Sequence, residues 1–491
     1  MDEDASLEFS LPQDILSPLL GASNSYSLEE ALENLIKASR TDVGRKDLAS
    51  KKILSTVLQL SQSLPYPSGC HLLTSSLKVL RNLCAGEVAN QDAFIEQKGV
   101  DIVSTILRSA VILSNPDYVT VQMGLQVLAN VCLAGEEHQC AVWNCFFPDD
   151  FVLLTRVRSQ KTCDPLCMVL YACCDGSTRL FEELCSDFGL PIVEEIVRTA
   201  SAVGFGEDWL KLILSRICLE EPHYPRLFSK LSLVGEDTEF KDDSFSPEQA
   251  FLSRIVSEIL NERIDEIFVP NDFALFVFEI FKRSVGFTIS IPRCKSGLPT
   301  GSASIDVLGY SLTILRDICA SKSMGGSKEE DSVDAADMLL LSSGLVELLL
   351  CLLGELEPPG IIRKSLEQGE EKDKASSFPS KPCLYQGFRR DIVAVIGNCV
   401  YGRKHIQDGI RHKNGIPLLL QQCVTDEDNP FLREWGIWCV RNLLEQNAEN
   451  QRAVAELELQ GSVDVPELTG LGLRVVVDPK TRRAKLVNVP R

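Results

Sequence analysis

Aromatic side chains make up only 7% of this chain of 491 residues, and its five histidines are scattered singly. Cysteine is plentiful at 18, yet no two cysteines stand at Cys-x-x-Cys spacing. The nearest approaches, Cys163/Cys167 and Cys173-Cys174, lack a second pair at zinc-site distance. A metal site is therefore not expected, and no cofactor is. The phosphate-cradling Gly-x-x-x-x-Gly-Lys-Ser/Thr loop is missing, and Gly301-Ser-Ala-Ser304 does not make a Gly-x-Ser-x-Gly elbow. Asp426-Glu-Asp428 does not complete a calcium loop. These absences point away from an enzyme. The chain opens Met-Asp-Glu-Asp, acidic where a secretory or mitochondrial signal would be basic, and holds no Asn-x-Ser/Thr acceptor. A cytosolic location is the expectation, with the thiols reduced. The most apolar stretch, residues 339–353, is too short for a hydrocarbon layer of about 30 Å, and reads as a buried helix. No membrane association is expected.

Positive charge is also in deficit. Lys plus Arg number 49 against 69 Asp plus Glu, a formal net charge of -20. Such a field repels phosphate backbones and anionic headgroups. The densest basic candidates are Arg389-Arg390 and the tail Lys480, Arg482, Arg483 and Lys485, with no aromatics interleaved for base stacking. Both read as solvated surface, and nucleic acid is not expected as a partner.

What is present is a repeat. Residues 77–84 read Leu-Lys-Val-Leu-Arg-Asn-Leu-Cys, with a pivot at Asn82 and Asn90-Gln91 after a short turn. The design returns at Asn130 with His138-Gln139, at Asn398 with Ile406-Gln407, and at Asn442 with Asn450-Gln451. From each pivot to the residue before Gln the interval is eight. Ala172, Arg216 and Asp317 fall in the same slot of weaker copies. Pivots 82, 130, 172 and 216 are spaced 48, 42 and 44 residues apart, and 398 to 442 is 44. Armadillo and HEAT units run to roughly 40–47 residues. Each unit supplies two or three short amphipathic helices that cannot bury their apolar faces alone, so neighbours stack into one core. Two residues after the pivot, Cys84, Cys132, Cys174, Cys218 and Cys319 recur. Cysteine there acts as a small buried hydrophobe at close helix packing.

Punctuation agrees with helices. Ser27-x-x-Glu30 and Ser246-Pro247-Glu248-Gln249 read as capped helix starts, and Asp164-Pro165 and Asn429-Pro430 as further ones. The exception is the tail, where Leu473 to Val477 and Ala484 to Val489 flank Asp-Pro-Lys-Thr and read as a small β-hairpin. Residues 232–246, 321–337 and 357–384 are charged or Gly/Ser-rich interruptions. The expected architecture is an all-α, armadillo/HEAT-like α-solenoid with a short terminal β-hairpin. Residues 1–356 are degenerate armadillo-like repeats, 357–385 a flexible charged linker, and 386–491 a C-terminal domain of two armadillo-like units plus tail.

That C-terminal block resembles a known family. Gly387-Phe-Arg-Arg-Asp391-Ile-Val-Ala-Val-Ile-Gly397-Asn398, Asn414-Gly-Ile-Pro417, Asp428-Asn-Pro430-Phe-Leu-Arg-Glu434-Trp435 and Val440-Arg441-Asn442-Leu443 are similar to the ataxin-10 domain. The resemblance is dense over roughly residues 386–455. It implies a non-enzymatic cytoplasmic protein that binds partners in signalling, cytokinesis, or cell survival and development.

The candidate protein-binding groove comprises Asn82, Asn130, Asn398, Asn442 and Trp438. In armadillo folds an Asn near the end of the third helix can hold a peptide backbone, because one amide carries both donor and acceptor. The competing reading is that these asparagines tie adjacent helix ends. Ala172, Arg216 and Asp317 in the same slot argue against one continuous groove. Trp438 with Asn442 resembles the pair by which nuclear import adaptors hold basic signals, but Lys78, Gln126 and Ala394 fill the equivalent positions elsewhere. Trp435 and Trp438 are therefore read as core packing. The expected function is a protein-binding scaffold whose partners are other proteins. Self-association into a homo-oligomer is the alternative, and import adaptation the more distant one.

Overall fold

The computed structural model describes residues 25–112, 115–232, 245–264, 266–287, 294–320, 340–363 and 381–457, and the backbone of 473–477 and 484–488. Most of the interruption at 232–246, all of 321–337, the charge run from Gln368 to Lys374, and the tail's Lys480, Arg482 and Arg483 lie outside these residues. The chain divides into two compact units, residues 1–290 with 299–317, and residues 291–298 with 318–491. The division therefore falls near 317, not at the 357–385 segment that the composition suggested.

In the first unit the apolar periodicity has produced an inner row of helices, each packed on the next: Ser25–Ala38, Cys70–Leu83, Tyr118–Cys132, Gln160–Asp175 and Asp208–Ser215. An outer row, Ile53–Ser63, Gly99–Val111, Asp149–Thr155 and Leu190–Val203, packs in the same successive way. Short helices such as Val88–Glu96 and Glu136–Phe146 join the rows. The core lies between the rows. Leu77, Val79, Leu80, Leu83 and Cys84 from one repeat, and Leu125, Val127, Leu128, Val131 and Cys132 from the next, are all buried. This is the α-solenoid manner of packing, in which each repeat completes its core only against its neighbours.

The second unit repeats the three-helix pattern with Lys404–His412, Gly415–Leu420 and Leu432–Leu444. The helix Phe388–Val400 packs on Leu432–Leu444, and Leu345–Glu355 packs on both Phe388–Val400 and Gly415–Leu420. That last helix is the apolar stretch of the sequence, and Leu345, Val346, Leu349, Leu350 and Leu353 are buried in it. Among the described residues no helix is long and apolar enough to cross a membrane. The 358–380 segment leaves and returns at one place: Leu356 and Lys381 form a parallel bridge, Glu357 N donates to Lys381 O at 2.9 Å, and Lys381 Nζ meets Glu355 at 2.7 Å. In the tail, β1 (Leu473–Val477) and β2 (Ala484–Asn488) pair antiparallel, with Leu473 opposite Asn488.

The helix starts follow the sequence unevenly. Ser246 caps Pro247–Arg263 with a full capping box, accepting from Gln249 N at 3.0 Å while Gln249 Oε1 accepts from Ser246 N. Ser27 lies inside its helix, which already begins at Ser25. Pro165 lies inside Gln160–Asp175, whose N-cap is Ser159. Asn429 caps a different helix from the one it precedes, since its Oδ1 accepts from Arg389 N at 3.0 Å.

Gly436 shows how tightly the last inner helix sits. A Cβ there would lie 2.4 Å from Gln422 O and 3.0 Å from Cys423 N, both backbone atoms. Gly436→Ala should therefore push Leu432–Leu444 off the preceding turn and cost about 1–3 kcal/mol of stability. Urea unfolding of the variant checks this, and an unchanged midpoint would mean the helix has room to shift.

Candidate functional site: the asparagine ladder and the tryptophan face

An inner helix ends with carbonyls that have no partner within the helix. The repeat motif supplies the missing donors. Gln91 Nε2 reaches Cys84 O at 2.9 Å, Gln139 reaches Cys132 O at 3.2 Å, Gln407 reaches Val400 O at 3.1 Å, and Gln451 reaches Leu444 O at 2.9 Å. In each case the Gln stands nine residues after the pivot, and the carbonyl two residues after it. Asn90 and Asn450 cap the carbonyls one place earlier, Leu83 O and Leu443 O. The same Gln also faces forward. Gln91 Nε2 lies 2.7 Å from Asn130 O, and Gln407 Nε2 lies 2.9 Å from Asn442 O.

The pivot asparagines complete the lattice in the other direction. Asn130 Nδ2 donates to Arg81 O at 2.8 Å, and Asn442 Nδ2 to Gly397 O at 3.0 Å. Each thereby binds the carbonyl just before the preceding pivot. Asn82 does the same toward the first inner helix, with Nδ2 near Ser39 Oγ at 3.1 Å and Ile36 O at 3.4 Å, while its Oδ1 accepts from Arg81 Nη2 at 2.9 Å. Asn442 is only 1% exposed, and Asn82, Asn130 and Asn398 are half-buried. The structure thus gives Asn82, Asn130 and Asn442 a helix-tying bond each. The glutamines carry an equal share of that work. Their constant spacing marked them as part of the repeat but did not reveal which carbonyls they cap.

Where the motif fails, the structure compensates. Nine residues after Ala172 stands Phe181, which has no amide to offer. Cys174 O is instead taken by Arg216 Nη1 at 2.6 Å, and the Arg216 guanidinium lies 4.0 Å from the centre of the Phe181 ring. A long cation in the pivot slot of one repeat therefore replaces the glutamine lost from the repeat before. A single turn of π-helix, Arg216–Glu220, follows at this point. At the next deviant pivot, Asp317 is buried and its carboxyl is raised above the ordinary range by desolvation, with Arg316 and Asn261 pulling the other way.

Two surface readings of the sequence change. Arg389 is 3% exposed, not solvated. It donates to Gln422 Oε1 at 3.2 Å and to Glu357 O, holding the stem of the 358–380 segment. Arg390 and Tyr385 both bind the buried carboxylate of Asp391. Trp438, read as core, is 44% exposed. Its helix turns Leu432, Gly436, Cys439, Asn442 and Leu443 inward, so Phe431, Ile437 and Trp438 are left exposed, and Arg441 lies over the Trp438 ring at 5.2 Å. Trp435 is half-buried. The helical period explains the error, since a Trp between buried positions looks like core until it is known that none of the described residues covers its far side.

The recurring cysteines are small packing residues, as their slot suggests. Burial alone pushes the Cys84 thiol upward, and burial is the leading cause at Cys174, Cys218 and Cys439 as well. Among the described residues no group of three or more His, Cys, Asp or Glu could hold a metal ion.

Two expectations follow from the ladder. Arg216→Asn alone should strand Cys174 O and cost about 1–3 kcal/mol, whereas Phe181→Gln with Arg216→Asn should recover most of that loss by restoring the regular pair. Urea unfolding of the single and double variants measures the coupling, and strict additivity would break the compensation argument. Asp317→Asn should stabilise the fold at neutral pH. A raised carboxyl binds its proton more tightly folded than unfolded, so its penalty grows as pH climbs through the carboxylate range and vanishes below it. The gain should shrink in acid; thermal unfolding at neutral and acidic pH would expose a gain that fails to do so.

Residues 388–487 match the model for the spinocerebellar ataxia type 10 protein domain. Ataxin-10 of Xenopus tropicalis is 25% identical, covering 92% of this chain and 91% of its own, and that of Homo sapiens is 23% identical over 83% and 80%. An ataxin-10 homolog of Dictyostelium discoideum is 37% identical over 106 residues, 22% of this chain and 17% of its own. Among solved structures, a designed armadillo repeat protein in complex with peptide (KR)4 is similar at 14% identity and a TM-score of 0.32, covering 51% of this chain and 99% of its own. The segment matched by the family model starts at the helix that carries Arg389 and Asn398 and runs into the second strand of the tail, and the likeness to the frog protein extends over nearly the whole chain: this chain carries a segment that matches the ataxin-10 domain and is similar to ataxin-10 along most of its length.

Proposed function

We propose that this chain is a non-catalytic scaffold of the ataxin-10 type that binds other proteins, and that it does so through the exposed face of the helix Leu432–Leu444. The observation that carries the reading is the cluster of Phe431, Ile437 and Trp438 exposed on one short stretch, with Arg441 stacked on the Trp438 ring. Aromatic residues and Arg are the types enriched where partner proteins dock, and exposed apolar clusters rimmed by polar groups mark such places. The likeness to ataxin-10 over most of the chain supports a scaffold. Roles in signalling, cytokinesis or development, and a cytosolic location, enter this reading from the family resemblance.

The groove reading of Asn82, Asn130, Asn398 and Asn442 is the second form of the proposal. It is the less favoured one, because Asn442 is buried and Asn82, Asn130 and Asn442 already bind atoms of the preceding helix. The same burial speaks against an import-adaptor pairing of Trp438 with Asn442. Self-association through the Trp438 face is the remaining alternative.

The test compares pull-downs from source-cell lysate using the native chain, a Phe431→Ala/Trp438→Ala variant, and a variant with exposed Val43 and Val88 of the first unit changed to Ala. The expected result is loss of specific partners, at least tenfold, with the first variant alone, and unchanged circular dichroism in both. Retention of the same partners would sink the docking face. Light scattering on the native chain separates a foreign partner from a second copy, since only self-association would raise its mass in a way that Trp438→Ala abolishes.

A further inference from the structure

Two pairs of thiols meet in the interior. Cys132 Sγ and Cys173 Sγ are 3.7 Å apart, and Cys319 Sγ and Cys399 Sγ are 3.6 Å apart. All four are free and buried. The first pair lies within the first unit and the second within the second unit. Their slots are the same: Cys132 and Cys319 stand two residues after the pivot positions 130 and 317, while Cys173 and Cys399 stand one residue after 172 and 398. Two separate units thus bring sulfur onto sulfur by one rule of the repeat. Packing accepts other apolar residues in these slots, since Val131 and Ile318 stand one residue after a pivot and Val400 and Leu444 stand two residues after one. Contact between two thiols is an additional chemical property, because each finds its reaction partner already in place.

We propose that Cys132/Cys173 and Cys319/Cys399 are oxidative modification sites, at which a peroxide-class oxidant closes a disulfide between segments far apart in sequence. The balance is that of a two-electron oxidation. One thiol, as its thiolate, attacks a peroxide oxygen; the O–O bond breaks, the first water leaves, and a sulfenic acid remains. The second sulfur then attacks the first, the S–O bond breaks, and the departing hydroxide takes the second thiol proton as another water. Two sulfurs lose two electrons in total and the two peroxide oxygens gain them. The bonds would close spans of 41 and 80 residues, which removes conformations from the unfolded chain and so strengthens the stack.

The setting makes the reaction slow. The Cys173 and Cys399 thiols are pushed upward first by hydrogen bonding to their own partners and then by burial. Arg403 pulls the other way at Cys399, and its Nη1 lies 3.3 Å from Cys399 O. No such cation acts on Cys173. Cys351, which is exposed, should react before either pair and serves as an internal clock.

The experiment treats the full chain with graded hydrogen peroxide, quenches with N-ethylmaleimide, and maps peptides without reduction beside intact mass. Expected are linked peptides joining Cys319 to Cys399 and Cys132 to Cys173, each with the loss of two hydrogens. The melting temperature should rise by several degrees and fall back after dithiothreitol. Cys399→Ala should remove the first link and leave the second, and Cys132→Ala the reverse, so one misfolded variant does not decide the matter. If peroxide sufficient to oxidise Cys351 completely yields no linked peptide in folded protein, the pairs are packing contacts and the proposal is wrong. Links scattered among other cysteines would overturn it equally.

Discussion

A primary amide can give one hydrogen to each of two carbonyls, and the repeat stack of this protein depends on that fact. Gln91 and Gln407 each hold the open end of their own inner helix and the pivot carbonyl of the next. Asn130 and Asn442 return the bond in the opposite direction. Buried carbonyls left without donors would cost roughly 1–3 kcal/mol each, so the lattice meets a demand that every stacked repeat creates. Because the bonds run to backbone atoms, the side chains around them can vary while the lattice persists. This suits a chain whose relatives retain about a quarter of its residues over most of its length.

The irregular repeats show that the demand, and not the residue type, is what stays constant. Arg216 satisfies Cys174 O from the far side because Phe181 cannot, and the ring that displaced the amide becomes the surface on which the guanidinium rests. Asp317 is buried and keeps only part of its charge compensated, by Arg316 Nε at 2.8 Å from its Oδ1. In the second unit, Asn429 caps a helix that belongs to the preceding repeat, and Arg389 turns inward to a carbonyl at the foot of another segment. Polar groups that look like surface in a linear reading are thus drawn inside wherever a backbone end needs them.

This also marks how far sequence reasoning reaches. Periodicity of Leu, Val and Cys found the inner helices, and the eight-residue interval found the connection between pivot and cap. Period and spacing are local, and those features were legible. The pull of Asn429, Arg389 and Arg216 toward distant carbonyls depends on which helix lies beside which, and no local pattern carries it. Trp438 failed for the complementary reason. Its helix has the spacing of an inner helix, but one flank lacks the neighbour that would bury it among the described residues. Pro165 and Ser27 misled because a residue that starts helices elsewhere is tolerated inside a helix when packing favours continuation.

The meeting of Leu356 with Lys381 bears on how such a chain can change length. The two ends of the 358–380 segment are fastened to each other and to Arg389, so the chain re-enters the repeat stack where it left. A chain tethered at both ends pays only for closing its span, and doubling that span costs about 0.6 kcal/mol. Residues gained or lost there over evolutionary time need not disturb the register of the helices on either side. The position is a natural port for new sequence, where a family with one repeat lattice can acquire members of different size.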